Sequence, residues 1–126
     1  MTSRVASHRD LLVWQRGMLI AEQVYLLTRG FPRDELFGLT SQMRRAAVSV
    51  PANIAEGYGR GTQASYLSFL RIARGSLLEL ETHLILAARV GLASDTAVDG
   101  LAADIAEVGR MLQALITKVR DTPPVR

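Results

Sequence analysis

One feature in the middle of the chain limits the fold more than any other. Tyr66, Leu70, Ala73, Leu77, Leu80, Leu84 and Ala87 recur at alternating steps of four and three, a heptad seam held over about three repeats. That spacing lines one side of a helix with apolar side chains and requires partner helices to cover it. Two more rows flank the seam: Leu67, Leu78 and Ile85 on one side, and Phe69, Ile72, Leu86 and Val90 on the other. Together they exceed the ~100° stripe that a single core needs. The excess predicts that copies of the chain associate, because large exposed apolar patches mark interfaces.

The remaining sequence supplies the partners. Thr62 is placed to cap this third helix and Gly91 to stop it. Beyond Ser94 or Asp95, a fourth helix repeats the seam with Leu101, Ile105, Val108, Leu112, Leu115 and Val119. A first helix is expected from about Asp10 to Thr28, capped by Ser7 or Asp10, with Leu11, Trp14, Met18, Ala21 and Tyr25 facing inward. Gly30, Phe31 and Pro32 end it. A second helix is expected from near Asp34, with Leu36, Leu39, Met43, Ala46 and Val50 as its stripe. Pro51 removes one backbone hydrogen bond and crowds the carbonyl of Ala47. Helical spacing from Val50 to Ile54 predicts a kink there and a resumed helix, ended by Gly57, Gly59 and Gly61. No segment alternates with strand period. The expected fold is all-α, an antiparallel up-down-up-down four-helix bundle over residues 10–120. A short N-terminal segment, 1–9, precedes it, and a disordered tail, 121–126, follows.

Chemistry is harder to find. The chain has no cysteine, which excludes disulfides, thiolate nucleophiles and cysteine metal sites. His8 and His83 lie on different elements. Glu79 and His83 share a helix face, but the paired Glu-x-x-His pattern of di-iron bundles is missing. No serine sits in a strand–turn–helix elbow. Gly57-Tyr58-Gly59-Arg60-Gly61 follows a helix and lacks the ending of a phosphate-binding loop, so it reads as a connector. We expect no enzyme activity, no metal and no cofactor. Glu79, Glu81 and Arg89 interrupt the most apolar region before it could cross a bilayer. The segment from Met1 to Asp10 is polar, and the cytoplasm is the expected location.

The net charge is +3, with its excess near the N-terminus, and of the 15 basic side chains only Lys118 is a lysine. Arginine's planar fork suits phosphate, although the codon bias of a GC-rich genome gives the same composition. Arg44, Arg45, Arg71 and Arg74 have no acid three or four residues away, and neither does Arg16; Arg110 has Glu107. Those four on the second and third helices, Arg44, Arg45, Arg71 and Arg74, together with Arg60 beside Tyr58, are the candidate residues for nucleic-acid or anion binding. The competing reading pairs them across helices with Glu56 or Glu79, or leaves them in solvent. Tyr58 beside Arg60 is the best-placed base-stacking aromatic. Pro51, Asn53, Glu56 and Gly57 form a structural motif in which Asn53 and Glu56 are expected to satisfy backbone groups that the proline frees.

Several stretches carry a resemblance: Val13-Trp14-Gln15, the run from Phe37 to Gln42, the run from Arg44 to Arg60, and Ala73 to Leu77 with Glu79 and Glu81. Over about Leu11 to Leu92 the chain resembles the four-helix-bundle proteins encoded in intervening sequences of bacterial large-subunit rRNA genes. It departs from that pattern at Gly17, where alanine is expected, and at Gly61. The resemblance implies a ring-like homopentamer. It also implies kinship of fold with the accessory variability protein of diversity-generating retroelements, a basic pentamer that engages a reverse transcriptase and nucleic acid. Two functions follow as expectations. One is an oligomer that binds RNA nonspecifically; the other is a scaffold or adaptor for a protein partner, without nucleic-acid binding.

Overall fold

Four helices and two single 3-10 turns make up residues 5–123, the part of the chain that the computed structural model describes. The helices are α1 (Leu12–Thr28), α2 (Leu39–Gly59), α3 (Gln63–Arg89) and α4 (Asp95–Asp121). Each packs on the next, α4 closes the ring on α1, and the diagonal pairs make no close approach among the described residues. This is the up-down-up-down bundle expected. Of the tail expected from residue 121, Asp121 is the last residue of α4 and Thr122 its C-cap, while residues 124–126 lie outside the described residues.

Local signals set most of the ends. The Thr62 and Ser94 hydroxyls accept hydrogen bonds from the amides of Ser65 and Ala97, capping α3 and α4. Gly91, at φ +79°, closes α3 with bonds from Leu92 N to the Ala87 carbonyl and from Gly91 N to that of Ala88. Ser7 and Asp10 form a reciprocal cap on the turn before α1. The second helix starts later than expected. Arg33–Glu35 form a separate 3-10 turn, Gly38 breaks the backbone, and the Glu35 carboxylate accepts from Leu39 N at 3.2 Å to cap α2. Leu36 is consequently exposed and is not part of the core stripe.

The α3 seam is buried from Leu70 to Ala87, with Tyr66 half-buried at its end. On α4 the core residues are Val98, Leu101, Ile105, Val108, Leu112 and Ile116. The sequence pattern placed Leu115 there instead of Ile116. A strict seven-residue repeat drifts around a straight helix of 3.6 residues per turn, and over four turns the buried position moves by one. The first helix is misphased too, here by one residue from its first turn onward. Its buried face is Val13, Gly17, Ile20, Ala21, Val24 and Thr28, whereas Met18 and Tyr25 are exposed.

Helix α2 continues through Pro51, which is buried against α1. A Cβ on Gly17 would stand 3.6 Å from the proline ring. On its other flank α2 meets α3 closely. The Ser49 and Ser76 hydroxyls are 2.8 Å apart, and a Cβ on Gly57 would lie 2.7 Å from the Cβ of Phe69. Asn53 Nδ2 donates to the carbonyl and hydroxyl of Ser49 at 2.7 and 2.8 Å. Glu56 is half-exposed and bonded to Arg60. Neither side chain reaches the Ala47 carbonyl, so the compensation expected around Pro51 takes a different form: the Asn53 amide ties α2 to the Ser49–Ser76 contact.

The surplus apolar surface is real and larger than the sequence implied. Ile72, Leu78, Ile85, Leu86 and Val90 are exposed on α3. So are Leu12, Leu19 and Leu26 on α1, a second row at heptad spacing. These helices occupy diagonal corners of the bundle. Among the described residues no helix is long and apolar enough to cross a membrane.

Candidate functional site

The five candidate arginines do not form one face. Arg44 and Arg60 are separated by 16 positions of one helix, roughly 24 Å along its axis. At the far end, Arg60 pairs with Glu56 at 2.8 Å and lies 5.1 Å over the Phe69 ring. Its charge is partly neutralised by an acid on its own helix, not across helices. Arg71 and Arg74 lie on the outer side of α3, on the flank that carries Leu67, Leu78 and Ile85. Arg45 points outward from α2. These three form no ion pair among the described residues. Arg16, which also lacked a partner in its own helix, is 3.9 Å from Glu107 across the α1–α4 seam.

Arg44 is the most firmly placed of the set. Its Nε donates to the Thr28 hydroxyl at 2.9 Å, and its guanidinium lies 4.6 Å over the Tyr25 ring. Thr28 in turn donates to the Val24 carbonyl at 2.7 Å. The sequence put Tyr25 in the core; the structure leaves it 40% exposed as the platform under Arg44.

Around Arg44, the last turns of α1, the α1–α2 connection and the first half of α2 enclose an open groove of about 690 Å³. Thr40, Ser41, Arg44 and Arg45 line it, with Phe37 at its edge and no carboxylate in the lining. Phe37 is 92% exposed. Thr40 is only 4% exposed, and its hydroxyl has no hydrogen-bond partner. The sequence does not single out Phe37 for binding, because hydropathy does not distinguish an exposed aromatic in a connector from a buried one. Tyr58, the aromatic favoured for stacking, is half-buried with its ring edge-on to Tyr66 at 6.0 Å.

A second hollow, about 600 Å³, opens at the other end of the bundle between the α2–α3 loop and the end of α4. Tyr58, Tyr66 and Gln63 line it. Gln63 Nε2 donates to the carbonyls of Val119 and Thr122 at 2.7 and 2.8 Å. Burial, with the neighbouring Tyr58 adding to it, pushes the Tyr66 phenol above its ordinary value of 10.0. Among the described residues no three histidine, aspartate or glutamate side chains come together as metal ligands. Nothing in either hollow pairs a nucleophile with a base.

Known proteins resemble this chain in fold and in sequence. A crystal structure of a protein with unknown function from the S23 ribosomal protein family of Bacteroides thetaiotaomicron superposes with a TM-score of 0.75. The two are 22% identical, and the match covers 83% of this chain and 98% of the other. That likeness concerns the fold. No curated protein matches the sequence. Residues 9–114, by contrast, match the sequence profile described as 23S rRNA-intervening sequence protein. With most of the chain inside that match, the protein belongs to the 23S rRNA-intervening sequence protein family.

Proposed function

We propose that this protein is a non-enzymatic bundle that assembles with copies of itself and, once assembled, holds RNA phosphates through its unneutralised arginines. The observation that carries the reading is the pair of apolar rows on α1 and α3. They are different surfaces at opposite corners. A contact between the α1 row of one copy and the α3 row of the next is heterologous, and such contacts close into rings or run on as filaments. The ring of five implied by the family resemblance is the closed form. Repetition around a ring would multiply Arg45, Arg71 and Arg74, which have no carboxylate partner among the described residues, into a basic surface for a polyanion. The setting we propose is the cytoplasm, where RNA is at hand.

Light scattering at micromolar concentration tests the assembly. A multiple of the 13.8 kDa chain mass supports it, and loss of that multiple in Leu19→Lys/Leu26→Lys places the contact on α1; a single-chain mass for the native protein overturns it. RNA affinity that falls steeply with salt supports the second half of the proposal. No binding at about 50 mM salt overturns it.

One observation favours a scaffold instead. Arg71 and Arg74 share the side of α3 with the apolar row, so they fit a role at a subunit boundary. Charge reversal of both separates the readings. A changed assembly mass assigns them to subunit contacts, and an unchanged mass with weakened RNA binding assigns them to phosphate.

A further inference from the structure

The geometry points to the α1–α2 groove as a subsite for one nucleotide, with its phosphate on Arg44 and its base against Phe37. The site deepens the RNA reading and rests on it. Arg44 is held before any ligand arrives. Its Nε is committed to Thr28 and its plane is set by Tyr25, while its terminal N–H groups have no partner among the described residues. A fixed guanidinium fork of that kind suits a phosphate. Arg45 adds a second positive charge, and no carboxylate lines the groove to compete with an anion. Beneath them is the unpaired hydroxyl of Thr40, a buried polar group that has given up water without gaining a partner. Thr40 lines the groove, so a turn of its side chain would bring that hydroxyl to an entering phosphate or ribose oxygen. Phe37 offers a ring exposed on both faces, as base stacking requires.

A free mononucleotide and one residue of a single strand share this chemistry, so both are used as probes against the full chain: AMP by equilibrium dialysis, and a short single-stranded RNA by fluorescence anisotropy. AMP is expected to bind and to compete with the RNA. Phe37→Ala removes a fully exposed side chain, leaves the fold intact and should weaken AMP about tenfold, the effect of losing one stacked base. Arg44→Lys keeps the charge but removes the fork, and should weaken AMP by a similar factor. Thr40→Val is nearly isosteric. It should weaken AMP several-fold while raising the thermal midpoint, since an orphaned hydroxyl disappears.

Failure of AMP to bind, or AMP binding that all three changes leave untouched, overturns the groove assignment. If RNA still binds with a steep salt dependence, the broader RNA reading survives elsewhere on the surface. AMP binding that responds to the three changes, in a protein that ignores RNA, supports a free-nucleotide site and ends the RNA reading.

Discussion

Replacing Gly57 with alanine sets two effects of similar size against each other. Alanine in a helix interior is favoured over glycine by about 1 kcal/mol. At Gly57, however, the new Cβ would lie 2.7 Å from the Cβ of Phe69 and 3.3 Å from the carbonyl oxygen of Tyr66. Both neighbours are fixed close to the α3 backbone, so no side chain can swing away. Restoring ordinary carbon contacts of about 3.5 Å parts the helices there by about 0.8 Å. If about forty contacts across the crossing each lose a third of a ~0.15 kcal/mol well, the cost is about 2 kcal/mol. That agrees with the range of roughly 1–3 kcal/mol for overpacked cores. The net expectation is a loss of about 1 kcal/mol. Gly75→Ala, in exposed mid-α3 with nothing within 4 Å, is the control and should gain about 1 kcal/mol. Urea unfolding followed by circular dichroism measures both. The same amino-acid change should thus differ by about 2 kcal/mol between two positions of one helix pair. Equal shifts would refute the close α2–α3 crossing.

Gly17→Ala should stabilise by about 1 kcal/mol and raise the thermal midpoint by a few degrees, because the added carbon meets Val50 and Pro51 at ordinary distances of 3.5 and 3.6 Å. A lower midpoint would show that α1 lies closer to α2 than that. The raised Tyr66 pKa has a definite sign. The folded protein holds the phenolic proton more tightly, so this contribution is intact below about pH 10, the unfolded value, and is lost as pH rises through the folded one. Stability measured against pH should fall on that alkaline side, and less so in Tyr66→Phe; identical pH profiles would count against the burial. Gln63→Ala should cost about 1 kcal/mol and speed amide exchange in the last turn of α4, since it removes the bonds to Val119 and Thr122. Unchanged exchange there would mean the turn holds itself.

The sequence displayed α3 and its caps almost completely, because a long heptad seam admits one phase and Thr62 and Gly91 mark its ends. It did not display α1 reliably. Leu11, Met18 and Tyr25, and Leu12, Leu19 and Leu26, are as apolar as a core stripe, while the true buried face runs through Val13, Gly17, Ile20 and Val24. Which face turns inward is decided by what it meets, here the Pro51 ring, and hydropathy carries no record of that. The candidate site was legible in part. Arg44 and Arg45 stood out by lacking acidic neighbours, whereas Phe37 and Thr40 join them only through the break at Gly38 and the packing of α1 on α2. The five candidate arginines do not share one surface for a geometric reason, since residues spread along two long helices can share a charge pattern without lying side by side.

An even number of antiparallel helices has a practical corollary. The start of α1 and the end of α4 emerge at one pole, where Gln63 clips the last turn of α4 to the first turn of α3. Helix α4 spans 27 residues, so the opposite pole is roughly 40 Å away. Labels attached at the start of α1 or the end of α4 therefore crowd the hollow beside Tyr66 and stay clear of Phe37. A copy immobilised through the last turn of α4 presents the α1–α2 groove outward, towards whatever is passed over it.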